Sequence, residues 1–345
     1  MIDLLGIGAR TPVGLTAPAS AAAIRAGISR LREFAFVTMR GEPLIIGADA
    51  RLKDALQGPA RMVELAKSAV TEALADFAPG AVPECELWLA LPEQRPGFDD
   101  HAAAAVARAS ADAARQRGFR TRATIGGRGH AGVMQCVRRV LAAADAERLH
   151  VVVGVDSYCD DECLVWLEQA RRLAQDGVRG GFTPGEAAGC LVLGRRRLGA
   201  LLKRRPLATI SGAGVHQETQ LRDSEAGSFG LAMSEAVLDA AADLDLPAQA
   251  ADAVYCDING ERYRSEEWGL FATRAHAALR FLQYQTFCGS IGDVGAAFGA
   301  IASIAAAQSF ARGYAPGPRA LVMAGSDSGT RGAMFLHDPR LEGRP

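Results

Sequence analysis

Apolar, strand-like runs alternate with helical stretches along almost the whole chain, and this alternation constrains the fold more than any other feature. Residues 4–8, 86–91, 151–155 and 188–193 are short, mostly apolar runs that read as strands, and 121–125 reads as another strand. Between them, Met62, Ala66, Ala69, Ala73 and Phe77 recur at helical spacing over 60–77. The run 151–155 is apolar without interruption, as expected of a strand covered on both faces. The pattern then repeats, with strands predicted at 207–211, 254–257, 320–324 and 333–336 and helices at 228–244 and 267–283. Two Gly-rich turns, 126–130 and 289–293, each open an Ala-rich helix, predicted over 131–149 and 294–312. Small side chains let such helices lie buried between sheets. The pattern predicts layered α/β packing with an internally duplicated architecture.

Composition narrows the function classes. A net charge of -1 over 345 residues argues against nucleic-acid binding, which needs a basic surface. No apolar run approaches the ~20 residues of a membrane span, and the N-terminus lacks a basic, then apolar, leader pattern. The seven cysteines (85, 136, 159, 163, 190, 256, 288) are scattered, without the spacing of a secreted disulfide framework or a paired metal motif. Cys159 and Cys163 share a helix face and read as two ordinary thiols. A reducing, cytoplasmic setting is expected, with no metal and no cofactor. The basic stretch 195–205 reads as a solvated hairpin, with an electrostatic dock for an acidic carrier or a phosphate as its rival. Residues 103–117 read as a surface helix. His101, His150 and His337 read as surface residues, and His276 as part of the helix 267–283.

Several motifs resemble the thiolase-fold β-ketoacyl-ACP synthases. Gly6-Ile7-Gly8-Ala9-Arg10-Thr11-Pro12-Val13-Gly14 is similar to their opening Gly-Ile-Gly-x-x-Thr-Pro-x-Gly. Val153-Gly154-Val155-Asp156-Ser157 resembles their Gly-Gly-x-Asp strand end, and Phe182-Thr183-Pro184-Gly185-Glu186-Ala187-Ala188-Gly189 their Phe-x-Pro-Gly-Glu-Gly-Ala-Gly strand. Ile258-Asn259-Gly260 resembles the Ile-Asn-Ala approach to a catalytic histidine, Gly295-Ala296-Ala297 the start of a late helix, and Ser328-Gly329-Thr330-Arg331 a late Gly-Gly-Thr-Asn loop. The matches fall in order along the chain. The resemblance implies an α/β/α/β/α sandwich of two similar halves, placed at 1–200 and 201–345, and a homodimer paired through edge strands.

The departures fall on the chemistry. The resemblance puts the family's cysteine nucleophile at Gly129, or at His130 with a one-residue slip. Its first histidine falls on Glu261, and its second, counted back from Gly295, on Gly292. The family's upstream lysine has no counterpart in 283–290. A thiolate at a helix N-terminus and neutral donors for a developing enolate are thus all replaced. Asp257, Arg262, Asp293, Asp327 and Arg331 are the other polar candidates near the former site. They read as an ion-pair network, Glu261 or Asp293 with Arg262 or Arg331, since buried charges need partners. Glu261 as a general base is the rival. His216 is on a loop with no assigned role, and Cys136 reads as a small buried hydrophobe.

The leading expectation is a catalytically degenerate synthase-like accessory protein. Its partner would be an active synthase, as for a chain-length factor, an acyl carrier protein, or a secretion effector. The alternatives are an acyltransferase using a relocated residue and a non-catalytic acyl- or CoA-binding module.

Overall fold

The computed structural model describes residues 1–80, 82, 84–143, 148–175, 177–224 and 230–341. Its strands are β1 (Ile2–Arg10), β2 (Arg32–Val37), β3 (Pro43–Ile46), β4 (Glu84–Leu91), β5 (Arg120–Arg128), β6 (Leu149–Ser157), β7 (Glu186–Gly194), β8 (Ala208–Gln217), β9 (Ala253–Cys256), β10 (Arg319–Gly325) and β11 (Thr330–His337). β2 and β3 form a separate hairpin, and the other nine make one hydrogen-bonded sheet in the order β5-β4-β6-β7-β1-β8-β11-β10-β9.

That order contains one topology twice. β4 runs parallel to β6, β6 antiparallel to β7, and β7 antiparallel to β1. In the second half β9 runs parallel to β10, β10 antiparallel to β11, and β11 antiparallel to β8. β5 adds in parallel outside β4. Its counterpart outside β9 is reduced to two parallel bridges, Ala251 to Leu279 and Tyr255 to Gln285. β1 and β8 pair antiparallel over three residues and join the halves.

The helices are α1 (Ala17–Arg25), α2 (Gly58–Ala73), α3 (Asp100–Gln116), α4 (Gly132–Ala142), α5 (Asp161–Gln169), α6 (Arg196–Leu201), α7 (Leu231–Ala240), α8 (Arg262–Arg274), α9 (Cys288–Ile291) and α10 (Phe298–Ala311). α2 and α3 share one core with the outer face of the first half, and α7 and α8 share another with the second. α4 and α10 lie between, in a core that takes side chains from both halves. This is the layered α/β/α/β/α arrangement. α10 is buried from Phe298 to Phe310, which a mostly apolar, small-residue helix permits, with the Ser303 and Ser309 hydroxyls bonded to main-chain carbonyls. β6 and β7 are buried at every position.

Some expectations need correction. α4 ends at Ala142 rather than 149, and residues 144–147 of the predicted helix lie outside the described residues, as do 228–229 ahead of α7. α8 stops at Arg274, and the chain then peels away along β9, so exposed His276 sits in a short 3₁₀ turn. The stretch 195–205 is no hairpin but α6 and its flanks. Arg195 donates to the carbonyls of Met1 (2.7 Å) and Leu141 (2.9 Å), and Arg204 pairs with Asp76 at 3.2 Å. His150 is buried, with Trp88 donating to its Nδ1 at 3.3 Å. The β2–β3 hairpin packs on α5 through Phe34, Ile46, Leu164, Leu167 and Phe182, an element pair the sequence reading had not separated from loop.

Candidate functional site

The site forms where the loops opening α4 and α10 meet. The loops carry the same glycine spacing: Gly126, Gly129 and Gly132 in one, Gly289, Gly292 and Gly295 in the other. Gly129 and Gly292 both adopt positive φ, +67° and +74°, a region costly for side-chain-bearing residues. A Cβ on Gly129 would lie 2.5 Å from Ser326 Oγ, and one on Gly292 2.3 Å from the Pro184 carbonyl oxygen. The residue after each of these glycines, His130 in one loop and Asp293 in the other, is therefore presented to the same point. His130 Nε2 lies 2.9 and 3.1 Å from the two Asp293 oxygens, with both residues buried. Asp293 also accepts from the Gly295 amide at 2.8 Å and from Asn259 Nδ2 at 2.6 Å.

Asn259 links this pair to Glu261. Its Oδ1 accepts from the Glu261 amide at 3.0 Å, and its Nδ2 reaches Glu261 Oε2 at 3.2 Å. Arg172, just beyond α5, grips Glu261 with two donors at 2.7 and 3.0 Å. The same guanidinium holds Asp327 at 2.6 and 3.2 Å. Such forked pairing is the strongest form of charge-assisted hydrogen bond. Arg264 completes the network, donating to Asp257, to the Gly325 carbonyl (2.8 Å) and to Glu261 (3.4 Å). Tyr263 donates to Asp327 at 3.2 Å.

The charge states follow from these contacts. Burial alone would raise Asp293 and Asp327. His130, Arg264 and Asn259 hold Asp293 well below the usual carboxylate range, and Arg172 does the same for Asp327. Burial works against a charged His130, but the Asp293 carboxylate overrides it and raises the imidazole above its ordinary value. The cysteines go the other way. Burial pushes Cys136 and Cys288 up to about 12 and Cys163 up to about 11, and raises Cys85, Cys159, Cys190 and Cys256 as well. Burial thus disfavours the thiolate form of each.

A cleft of about 630 Å³ opens above the pair, with Gly129, His130, Arg95, Tyr158, Trp166 and Arg172 in its walls. A second hollow of about 520 Å³ shares Arg172 and Arg222 with it and reaches Glu261 from the other side.

The residues singled out in the sequence are partly brought together. Gly129, His130, Asp293, Asp257, Glu261 and Asp327 converge, while Gly292 supplies a turn beside them. The expected network is present, but its cations differ from those expected. Arg262 is exposed and pairs with Glu266 along α8 at 2.5 Å. Arg331 is buried on Glu267 at 2.7 Å. Arg172 and Arg264 take the roles assigned to them. His130 is paired with Asp293. His216 lies in β8 rather than on a loop, and bonds Asp239 of α7 at 2.6 Å. The repeated glycine spacing could have revealed the His130–Asp293 juxtaposition; Arg172 has no comparable signal. Among the described residues no group of three or more His, Cys, Asp or Glu side chains is placed to hold a metal ion, and no helix is long and apolar enough to cross a membrane.

The fold is that of the thiolase-like ketosynthases. A type II polyketide ketosynthase, described in complex with its acyl-carrier protein, superposes with a TM-score of 0.76 at 13% identity, over 97% of this chain and 98% of that one. The ketosynthase from module 6 of the bacillaene synthase of Bacillus subtilis 168 gives 0.75 at 16% identity, over 97% and 71%. The ishigamide ketosynthase/chain length factor gives 0.77 at 16% identity, over 97% and 98%. No protein-family model and no curated protein sequence matches the chain.

Proposed function

We propose that this chain is a non-condensing ketosynthase-like protein that acts by binding a protein partner. One observation carries the reading: the site's ionisable groups are locked to one another. His130 is held by Asp293, and Glu261 by Arg172 and Arg264. Condensation needs a thiolate nucleophile and neutral donors facing a developing enolate. A carboxylate at Glu261 opposes that charge, and burial raises all seven thiols above their ordinary pKa. The partner would be an active synthase, as for a chain-length factor, an acyl carrier protein, or a secretion effector. The solved relatives that contain a chain length factor and a bound carrier protein support a partner of the first two kinds. We further propose that the halves 1–200 and 201–345 are repeats, that the open edge of β5 pairs two copies into a homodimer, and that the protein works in the cytoplasm.

The direct test supplies purified protein with acyl- and malonyl-carrier substrates. Neither condensation nor decarboxylation is expected. Turnover that disappears in Glu261→Ala overturns the reading.

A second reading, acyl transfer through a relocated residue, has one observation in its favour: His130, paired with Asp293, borders an open cleft. It requires acyl groups to leave carrier or CoA thioesters in a manner that depends on His130. A thermal shift with CoA esters would support the third reading, a CoA- or acyl-binding module.

A further inference from the structure

We infer that the cleft above His130 binds a small organic monocarboxylate with a flat apolar body, its carboxylate held by the ring Nδ1 of His130 and by Arg95. This rests on the reading of the site as one that binds rather than condenses.

The first observation is an open donor. His130 uses Nε2 on Asp293, and its Nδ1 has no hydrogen-bond partner among the described residues while the ring borders the cleft. Asp293 is already engaged by His130, Asn259 and the Gly295 amide. Nε2 is therefore fixed as the donor to Asp293, and a charged ring offers a second N–H at Nδ1.

The second observation is independent. Arg95 borders the same cleft, and its side chain is only 9% exposed. Its Nη2 donates to Asp156 Oδ1 (2.6 Å) and the Ser157 carbonyl (2.9 Å), but its buried Nε has no partner. An unpaired buried donor is costly, and a bound acceptor removes that cost.

Charge and shape select the ligand class. The acids bordering the cleft are engaged: Asp156 by Arg95 and the Ala296 amide, Asp327 by Arg172 and Tyr263, Glu93 by the Ser328 amide. Asp223, the fourth, pairs with Arg222, so none is left unpaired for a cation. The four lining arginines, Arg95, Arg128, Arg172 and Arg222, balance the four acids; the charge left for a ligand is that of a protonated His130, so a single negative charge fits best. Tyr158, Trp166 and Leu221 supply the apolar wall, with the Arg95 guanidinium 4.2 Å from the Tyr158 ring centroid. The volume of about 630 Å³ falls in the range of roughly 300–1,000 Å³ common to small-molecule sites.

Binding should depend on pH. The charged groups acting on His130 are Asp293 and Asp257, which favour its charged form, and Arg264, which disfavours it; Asp327 also interacts with it. A carboxylate held by the charged ring is released as pH rises through the raised imidazole value.

The experiment is isothermal titration of the full chain with benzoate, with inorganic phosphate for comparison, at pH values on either side of that titration. Benzoate is expected to bind at the lower pH and phosphate to bind more weakly. His130→Gln should weaken benzoate by about tenfold or more and abolish the pH dependence. Trp166→Ala, which removes no member of the charged pairs, should weaken benzoate while leaving its pH dependence intact and serves if His130→Gln does not fold. Absence of benzoate binding, tighter binding of phosphate, or affinity indifferent to both variants overturns the inference. Condensing activity would overturn the proposed function whatever benzoate does, so the two failures are separable.

Discussion

Asp293 and Arg172 are the two residues on which the site's electrostatics turn. Each bridges several partners, and removing one member of a buried ion pair leaves the other unpaired. Asp293→Asn should therefore cost about 3–5 kcal/mol in urea unfolding, because His130 loses its counter-charge. Replacement of exposed Arg262, paired only with Glu266 on the surface, should cost within about 0.5 kcal/mol in the same assay. The signs of the pKa shifts define a pH window. His130 is raised on folding, so its contribution is complete below its unfolded value and is lost as pH rises through the folded one. Asp293 and Asp327 are lowered, so theirs is complete above the ordinary carboxylate range and is lost as pH falls toward their folded values. Chemical denaturation across pH should show greatest stability between those limits. In His130→Gln the fall on the alkaline side should flatten.

At the scale of the elements, the paired glycine loops should be unequal in tolerance. A Cβ at Gly292 meets a main-chain carbonyl, whereas one at Gly129 meets the side chain of Ser326. Both substitutions force positive φ, worth about 1–3 kcal/mol. Gly292→Ala should lower the melting temperature more than Gly129→Ala. The elements also show what was legible in the sequence. Buried strands such as β6 and β7 announce themselves as unbroken apolar runs, and α10 as an Ala-rich helix after a glycine turn. Boundaries were less legible: α8 begins at Arg262, where its polar first turn carries no apolar period. Glu261, Asp257, Asp293 and Asp327 were identifiable by position after strands or glycine turns. Their cations were not. Arg172 lies beyond the end of α5, 89 residues before its partner Glu261, and only the folding of distant segments brings them together. The adjacent Arg262 seemed the better partner, but helix geometry turns it outward and Arg264 inward.

At the scale of the molecule, nine strands in one sheet leave the edge of β5 open, with Ile125 partly exposed on it. Edge strands invite pairing. Light scattering should give a dimer, and Ile125→Asp should shift it toward monomer without unfolding. The frame is stabilised by its apolar cores, so it does not depend on the chemistry of the ion-pair network that joins Arg172, Glu261, Arg264 and Asp327. The central claim is that no group in this frame takes up an acyl chain. Intact-mass measurement of the protein after incubation with acyl-CoA and acyl-carrier thioesters addresses it most directly. The account predicts an unchanged mass. A single acyl addition mapping to Cys136, Cys288 or His130 would contradict it.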